Sequence, residues 1–94
     1  MKPPIPIETG RVVISRAGRD RGTAYAVLEV LPGERALVAD GRARTLDHPK
    51  KKNVKHLKAR PVSIPDFAEK IRQHKRNFDE ELRAALADAE TSDT

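Results

Sequence analysis

The chain has 94 residues, of which 19 are lysine or arginine and 14 are aspartate or glutamate, so its formal net charge is +5. One domain fits this length, and a core with two Phe, one Tyr and no Trp is too small for a large enzymatic interior. The chain has no Cys, which excludes disulfides and thiolate chemistry. Because no apolar run approaches the roughly 18 to 20 residues of a membrane span and the proline-rich start lacks a secretory apolar segment, we expect a soluble cytoplasmic protein without membrane contacts.

Charge is distributed unevenly along the chain. Residues 1–60 contain 14 basic and 6 acidic side chains, whereas residues 61–94 contain 5 basic and 8 acidic ones. An excess of cations confined to one part of a sequence is typical of a surface that meets a polyanion. We therefore expect the first part to face a nucleic acid and the second part to have another role.

The chain begins with an extended segment and continues with short strands. Prolines at positions 3, 4 and 6 remove backbone donors from residues 1–7, which favours an extended arm. Aliphatic runs then alternate with glycine-containing turns, which predicts antiparallel strands. We place the strands at residues 12–15, 24–31, 36–39 and 42–46, with a fifth near 56–62.

Two dipeptides predict how these strands are joined. Pro32 and Gly33 fit a type II turn, in which glycine accepts a positive φ at the third position, and Asp40 and Gly41 fit a two-residue hairpin turn. Along 24–31 one face is apolar throughout and the other only in part, which favours a small curled sheet or barrel over an open flat sheet. We expect a mainly β fold class with a small antiparallel barrel over residues 8–62. The fully apolar face consists of Ala24, Ala26, Leu28 and Val30.

The remaining sequence predicts one amphipathic C-terminal helix over residues 63–89 and a frayed tail over 90–94. Ser63 suits the N-cap and Pro65 suits the first turn. Apolar side chains then recur at helical spacing, which predicts packing on the barrel or on a partner. This stripe consists of Phe67, Ile71, His74, Phe78, Leu82 and Ala85 or Leu86.

A glycine-flanked loop between the first two strands is the strongest candidate site. The glycines let the backbone turn and approach a partner closely, while the arginines extend into solvent, where guanidinium groups bind phosphate oxygens. Asp20 would brace an arginine or favour the turn. The same composition also fits a polar loop without a ligand. The candidate RNA contacts in this loop are Arg16, Gly18, Arg19, Arg21 and Gly22.

A lysine-rich stretch over residues 47–60 contains six cationic side chains and two histidines. Clustered cations bind nucleic acid by releasing counterions from phosphates. A solvated connector or a nuclear-import-type signal has the same composition. Together with two arginines of the preceding predicted strand, the candidate contacts are Arg42, Arg44, Lys50, Lys51, Lys52, Lys55, His56 and Lys58.

The sequence predicts no catalytic residue, metal site or cofactor. His48, His56 and His74 lack the spacing and neighbouring carboxylates of metal ligands. Ser15 has no recognisable base partner, and no phosphate-binding loop or dinucleotide fingerprint occurs. Because Tyr25 is the single aromatic residue of the basic part, we expect contacts to the backbone of a folded RNA in place of stacking on unpaired bases.

The run from Thr9 to Gly22, continued by residues 24–31, resembles a KOW motif, in which apolar and polar positions alternate around a loop glycine, here Gly22. Residues 35–41 and the basic stretch after them are similar to archaeal and eukaryotic large-subunit ribosomal proteins of the fourteen-e type and to small bacterial KOW-domain RNA-binding proteins. The resemblance covers about residues 8–60. Thr23 and Ala24 depart from the many KOW sequences that have a further glycine here, and the C-terminal helix has no assigned counterpart.

This resemblance implies an SH3-like β-barrel whose first inter-strand loop contacts ribosomal RNA or a ribosomal neighbour. The leading prediction is therefore a non-enzymatic, ribosome-associated RNA-binding protein. A protein-interaction module in transcription or ribosome assembly is the alternative, because KOW modules in transcription elongation factors bind proteins. A DNA-binding domain is a third interpretation of the same basic surface.

Overall fold

Five strands and two helices make up the part of the chain that the structure describes, residues 5–73 and 78–91 of a computed structural model. The strands are β1 (Arg11–Ser15), β2 (Ala24–Leu31), β3 (Arg35–Ala39), β4 (Lys50–Asn53) and β5 (Leu57–Ser63). A 3-10 turn at Val54–His56 joins the last two strands, and the helices are α1 (Phe67–Gln73) and α2 (Phe78–Thr91). The expected mainly β class with helical structure in the C-terminal part is confirmed.

All paired strands are antiparallel and form one sheet in the order β4-β3-β2-β1-β5. The two end strands, β4 and β5, are not paired with each other, so the expectation of a closed barrel is wrong. The sheet is nevertheless strongly curled, because Lys52 Nζ in β4 reaches Ser15 Oγ in β1 at 2.9 Å although two strands lie between them in the sheet. Register shifts in the β1–β5 and β2–β3 pairs contribute to this curl.

Both faces of the curled sheet are buried. Successive side chains of a strand point to opposite faces, and Val12 accordingly packs toward the helices while Val13 packs inside the curl. On the helical side Phe78 and Leu82 are fully buried, and burial contributes about 1.5–3 kcal/mol for each such side chain. The Phe67 and Phe78 ring centroids lie 5.3 Å apart, which joins α1 to α2. The sheet is therefore held by one core beneath the helices and another within its own curvature.

β2 and β3 form the hairpin that Pro32 and Gly33 predict. The alternation expected for β2 does not continue to its end, since Val30 is 49% exposed. The pairing register shifts between Val27 and Glu29, and an irregularity of this kind turns the following side chains away from their previous face.

Residues 40–49 form a loop, so the strand expected over 42–46 and the two-residue hairpin at Asp40 and Gly41 are wrong. Asp40 Oδ1 accepts hydrogen bonds from the backbone N–H groups of Arg42 at 2.9 Å and Arg44 at 3.0 Å. The Arg44 carbonyl accepts from the backbone of Asp40 and Gly41. These local bonds use the donors that a strand pair would need.

The helical part differs from a single helix that starts at Ser63. This serine ends β5, and the Ile64 N–H donates to the Gly10 carbonyl at 2.8 Å, so the sheet extends into the expected first turn. α1 begins at Phe67, and the carbonyl of Asp66 accepts its first hydrogen bond, from Lys70. His74 of the expected stripe lies outside the described residues, as do positions 1–4 of the expected arm, while α2 runs to residue 91. Neither described helix has both the length and the apolar character needed to cross a membrane.

Candidate nucleic-acid interface

One inward-facing carboxylate fixes the loop between β1 and β2. Asp20 Oδ2 accepts a hydrogen bond from the Tyr25 hydroxyl at 2.6 Å, and Oδ1 accepts one from the Ser15 hydroxyl at 2.8 Å. Lys52 Nζ lies 2.9 Å from Oδ1, and Lys50 Nζ lies 3.2 Å from Oδ2. The side chains of Asp20 and Lys52 are 14% and 8% exposed. We term these five residues the Asp20 anchor, because they tie the loop to β1, β2 and β4.

Charge and hydrogen bonding hold the anchor in one protonation state. Burial by itself would raise the pKa of Asp20, but hydrogen bonds from Tyr25, Lys52, Ser15 and Lys50 outweigh it and keep this pKa well below its usual value of 3.8. Burial, and after it the hydrogen bond to Asp20, raises the pKa of Tyr25 well above its usual value of 10. At neutral pH the carboxylate is therefore ionised and the phenol is protonated, which is the arrangement the hydrogen bond requires.

The arginines of the same loop lie on its outer side. Arg16, Arg19 and Arg21 are exposed, and no carboxylate of residues 5–72 or 78–88 forms a salt bridge with them. The backbone is fixed by hydrogen bonds from the Gly22 N–H to the Ser15 carbonyl at 2.8 Å and from the Thr23 N–H to the Asp20 carbonyl at 2.9 Å. The expected role of Asp20 as a brace for an arginine is thus replaced by a bond to lysines, and the loop presents three cations outward.

The start of β5 lies beside this loop. The Arg16 N–H donates to the His56 carbonyl at 2.8 Å, and Lys58 is paired with Ile14 of β1. His56 and Lys58 are both exposed. Sheet pairing therefore brings these two predicted contacts next to the arginine loop.

α2 fixes the second arginine-containing loop. Asp79 Oδ1 accepts a hydrogen bond from the Leu46 N–H at 2.9 Å, and Arg83 Nη1 donates to the Gly41 carbonyl at 2.6 Å. Gly41 has a φ of 78°, and a Cβ on it would overlap the Asp79 carbonyl oxygen, so the helix approaches the loop as closely as glycine allows. Arg42 and the neighbouring Arg44 remain exposed.

Residues of both arginine-containing loops line a cleft of about 400 Å³. Gly22 and Thr23 of the first loop line it, together with Arg42 of the second loop and Arg83 of α2. The two loops therefore meet at one cleft, and His56 and Lys58 lie beside the first loop. We give the name arginine surface to the predicted contacts of these segments, namely Arg16, Gly18, Arg19, Arg21, Gly22, Arg42, Arg44, His56 and Lys58. Arg83 was not predicted, since nothing in the sequence indicates that its face of the helix meets the cleft.

The lysine run at 50–52 is divided between different surroundings. Their composition predicts one basic stretch that is hydrated or meets an anion, but these lysines lie in β4, whose side chains alternate. Lys50 and Lys52 belong to the Asp20 anchor and point to the Asp20 carboxylate, whereas Lys51 is exposed on the opposite side of the strand. Lys55 is exposed with its Nζ 3.9 Å from Glu34 Oε2. Lys52 is engaged inside the domain and is not included in the arginine surface.

Within the described part of the chain, no three His, Asp or Glu side chains form a group that could hold a metal ion. No model of a known protein family matches this sequence. The arrangement of charges on the arginine surface is therefore the observation from which a function is inferred.

Proposed function

We propose that this chain is a non-enzymatic RNA-binding protein whose arginine surface contacts the phosphates of a folded RNA. The observation that carries the proposal is the inward orientation of Asp20, which pairs with Lys50 and Lys52. Because the acid of the loop is neutralised within the domain, its charge does not oppose the approach of a phosphate to the arginines outside. A loop that is already fixed also loses less conformational entropy on binding.

Arginine chemistry supports a polyanionic ligand. Guanidinium groups form charge-assisted, often bidentate, hydrogen bonds with phosphate. If each of the five arginines of the surface meets one phosphate, counterion release gives a slope of log affinity against log salt of about −3.5 to −4.5. The expected contact set is Arg16, Arg19, Arg21, Arg42 and Arg44, with the backbone of Gly18 and Gly22 and the side chains of His56 and Lys58 at its margin.

We propose further that the fold is an SH3-like relative of the KOW type and that the ligand is ribosomal RNA. The glycine loop lies between β1 and β2, where the motif has it, and the five short antiparallel strands curl strongly. These features support the resemblance seen in the sequence. The ribosomal target rests on that resemblance alone.

The proposal is tested by fluorescence anisotropy of structured ribosomal RNA fragments at several salt concentrations. The double variant Arg19→Ala/Arg21→Ala should bind more weakly, with a salt slope reduced by about 1.4–1.8, while its thermal unfolding is unchanged. Arg35→Ala/Arg72→Ala is the matched control, because it removes two exposed arginines outside the arginine surface. Undetectable or salt-insensitive binding by the wild-type protein would refute the proposal, and so would equal losses in the two double variants.

Two further experiments separate the alternatives. Affinity capture before and after nuclease treatment distinguishes RNA binding from a protein-interaction module, since partners held through RNA are lost and direct protein partners remain. Competition between duplex DNA and structured RNA at equal salt distinguishes the two nucleic acids, because phosphate contacts alone do not. Retained protein partners, or a preference for DNA, would replace the RNA assignment.

A further inference from the structure

The cleft between the two loops contains an arginine that the arginine surface does not include. Arg83 of α2 lines the cleft together with Gly22 and Arg42. Among the carboxylates of residues 5–72 and 78–88, none forms a salt bridge with either arginine. Two arginines therefore line one cleft, and neither is paired there with a carboxylate.

Arg83 is held in a fixed orientation. One of its N–H groups donates to the Gly41 carbonyl at 2.6 Å, and a guanidinium group has five N–H donors, so most of its donors remain for another acceptor. The backbone of Arg42 is fixed in turn by the hydrogen bond from its N–H to Asp40 Oδ1. Preorganised donors lose little entropy when they bind an anion.

We infer that Arg42 and Arg83 hold one phosphate of the RNA in this cleft, so that α2 supplies a direct contact to the ligand. The inference rests on the proposed function and adds to it a binding residue from the acidic part of the chain. It gives the C-terminal helix two roles, as a cover for the sheet and as one wall of the binding surface.

The dimensions and charge of the cleft fit a phosphate with its ribose. Its volume of about 400 Å³ lies within the range of about 300–1,000 Å³ that small-molecule sites occupy. Asp40 also lines it, but Oδ1 of that carboxylate already accepts two backbone hydrogen bonds, and the two arginines exceed its charge. None of the described side chains that line the cleft is aromatic, so it offers no aromatic platform on which a base could stack.

Two variants test the inference in the anisotropy assay with structured ribosomal RNA. Arg83→Gln removes the charge and keeps an amide that can donate to the Gly41 carbonyl, whereas Ala87→Leu places bulk on the cleft wall without changing the charge. Each should weaken binding by about tenfold. Ala87→Leu, which excludes the phosphate from both arginines, should reduce the salt slope by about 0.7–0.9, the value for one phosphate, whereas Arg83→Gln should reduce it by part of that value, because Arg42 remains. The matched controls are Arg35→Gln, on an exposed site of β3, and Ala84→Leu, on an exposed site of α2 that does not line the cleft. Neither control should change the slope.

The outcomes separate this inference from the proposed function. Wild-type affinity and slope in both cleft variants would refute the phosphate site and leave the proposed function intact. A weaker Arg83→Gln variant with an unchanged slope would show that Arg83 only positions the loop, which also overturns the inference. If Arg83→Gln fails to fold, Ala87→Leu decides the question, and salt-insensitive binding by the wild-type protein would remove both proposals.

Discussion

Replacing Asp20 by Asn tests the anchor that orients the arginine loop. The substitution keeps the size of the side chain but removes the charge that faces Lys52, whose side chain is 8% exposed. Removing one partner of a buried ion pair costs about 3–5 kcal/mol. Asparagine retains one acceptor oxygen and Lys50 is partly exposed, so we expect a loss near the lower limit, about 3 kcal/mol. A domain of 94 residues has a free energy of unfolding of about 5–14 kcal/mol, and the loss is a large part of it.

Urea unfolding followed by circular dichroism at neutral pH measures this loss. With a slope of about 1–3 kcal/mol/M, the midpoint should fall by about 1–3 M while the slope stays constant. Glu34→Gln is the matched control, because it neutralises a carboxylate in an exposed pair with Lys55 and should change stability by less than about 1 kcal/mol. Asp20→Asn/Lys52→Met should recover part of the loss, since no ammonium group is then left buried without its partner.

The pH dependence gives an independent check of the same anchor. Because the pKa of Asp20 is lower in the folded protein than its usual value of 3.8, the unfolded chain binds more protons as the solution becomes acidic. The stability that Asp20 contributes is therefore present above the usual carboxyl pKa and is lost as the pH falls toward the folded pKa. Asp20→Asn should lack this part of the acid dependence. A loss below about 1 kcal/mol at neutral pH, together with an unchanged acid profile, would refute the reasoning.

Three further measurements examine other contacts. Tyr25 is the single tyrosine, so ultraviolet titration should show no tyrosinate near pH 10 in the folded protein and a normal transition in urea; a normal transition in the folded protein would contradict the raised pKa. Gly41→Ala should cost about 1–3 kcal/mol more than Gly33→Ala, because both glycines have a φ of 78° but only Gly41 meets α2; equal losses would show that the helix does not press on the loop. Leu82→Ala should cost about 2–5 kcal/mol, whereas Val30→Ala, at a half-exposed site, should cost less than about 1 kcal/mol, and similar thermal shifts would argue against the described core.

Much of the fold is predictable because its signals are local. Alternation of apolar side chains identifies β1, β2 and β3, and helical spacing identifies Phe67, Phe78, Leu82 and Leu86 as core residues, all of which are buried. The errors have two origins. Local hydrogen bonds to the Asp40 side chain replace the strand expected over 42–46, and contacts between distant parts of the chain displace the expected start of the helix. Ser63 has a side chain suited to an N-cap, but in the structure it pairs with Arg11 of β1 as the last residue of β5.

The sequence predicts which residue types the candidate site contains, but it does not predict how they are arranged in space. The glycine loop and its arginines stand out in the sequence, and their exposure agrees with the expectation. The surroundings of the neighbouring lysines are harder to predict. The sequence does not distinguish a lysine with a hydrated ammonium group from one that is bound to a carboxylate inside the domain, as Lys52 is. Arg83 is the opposite case, a residue that the sequence does not single out but that lines the cleft. Its position there depends on how α2 packs against Gly41.

The sequence by itself determined the β-rich first part, the helical second part, the basic character of the former and the loop that carries the arginines. Those properties depend on residue type and on spacing of a few positions along the chain. Only the tertiary structure decided which cations face solvent, because Asp20 and Lys52 are 32 positions apart and meet through the curl of the sheet. That curl depends on the packing of both faces at once, and no short stretch of the chain encodes it.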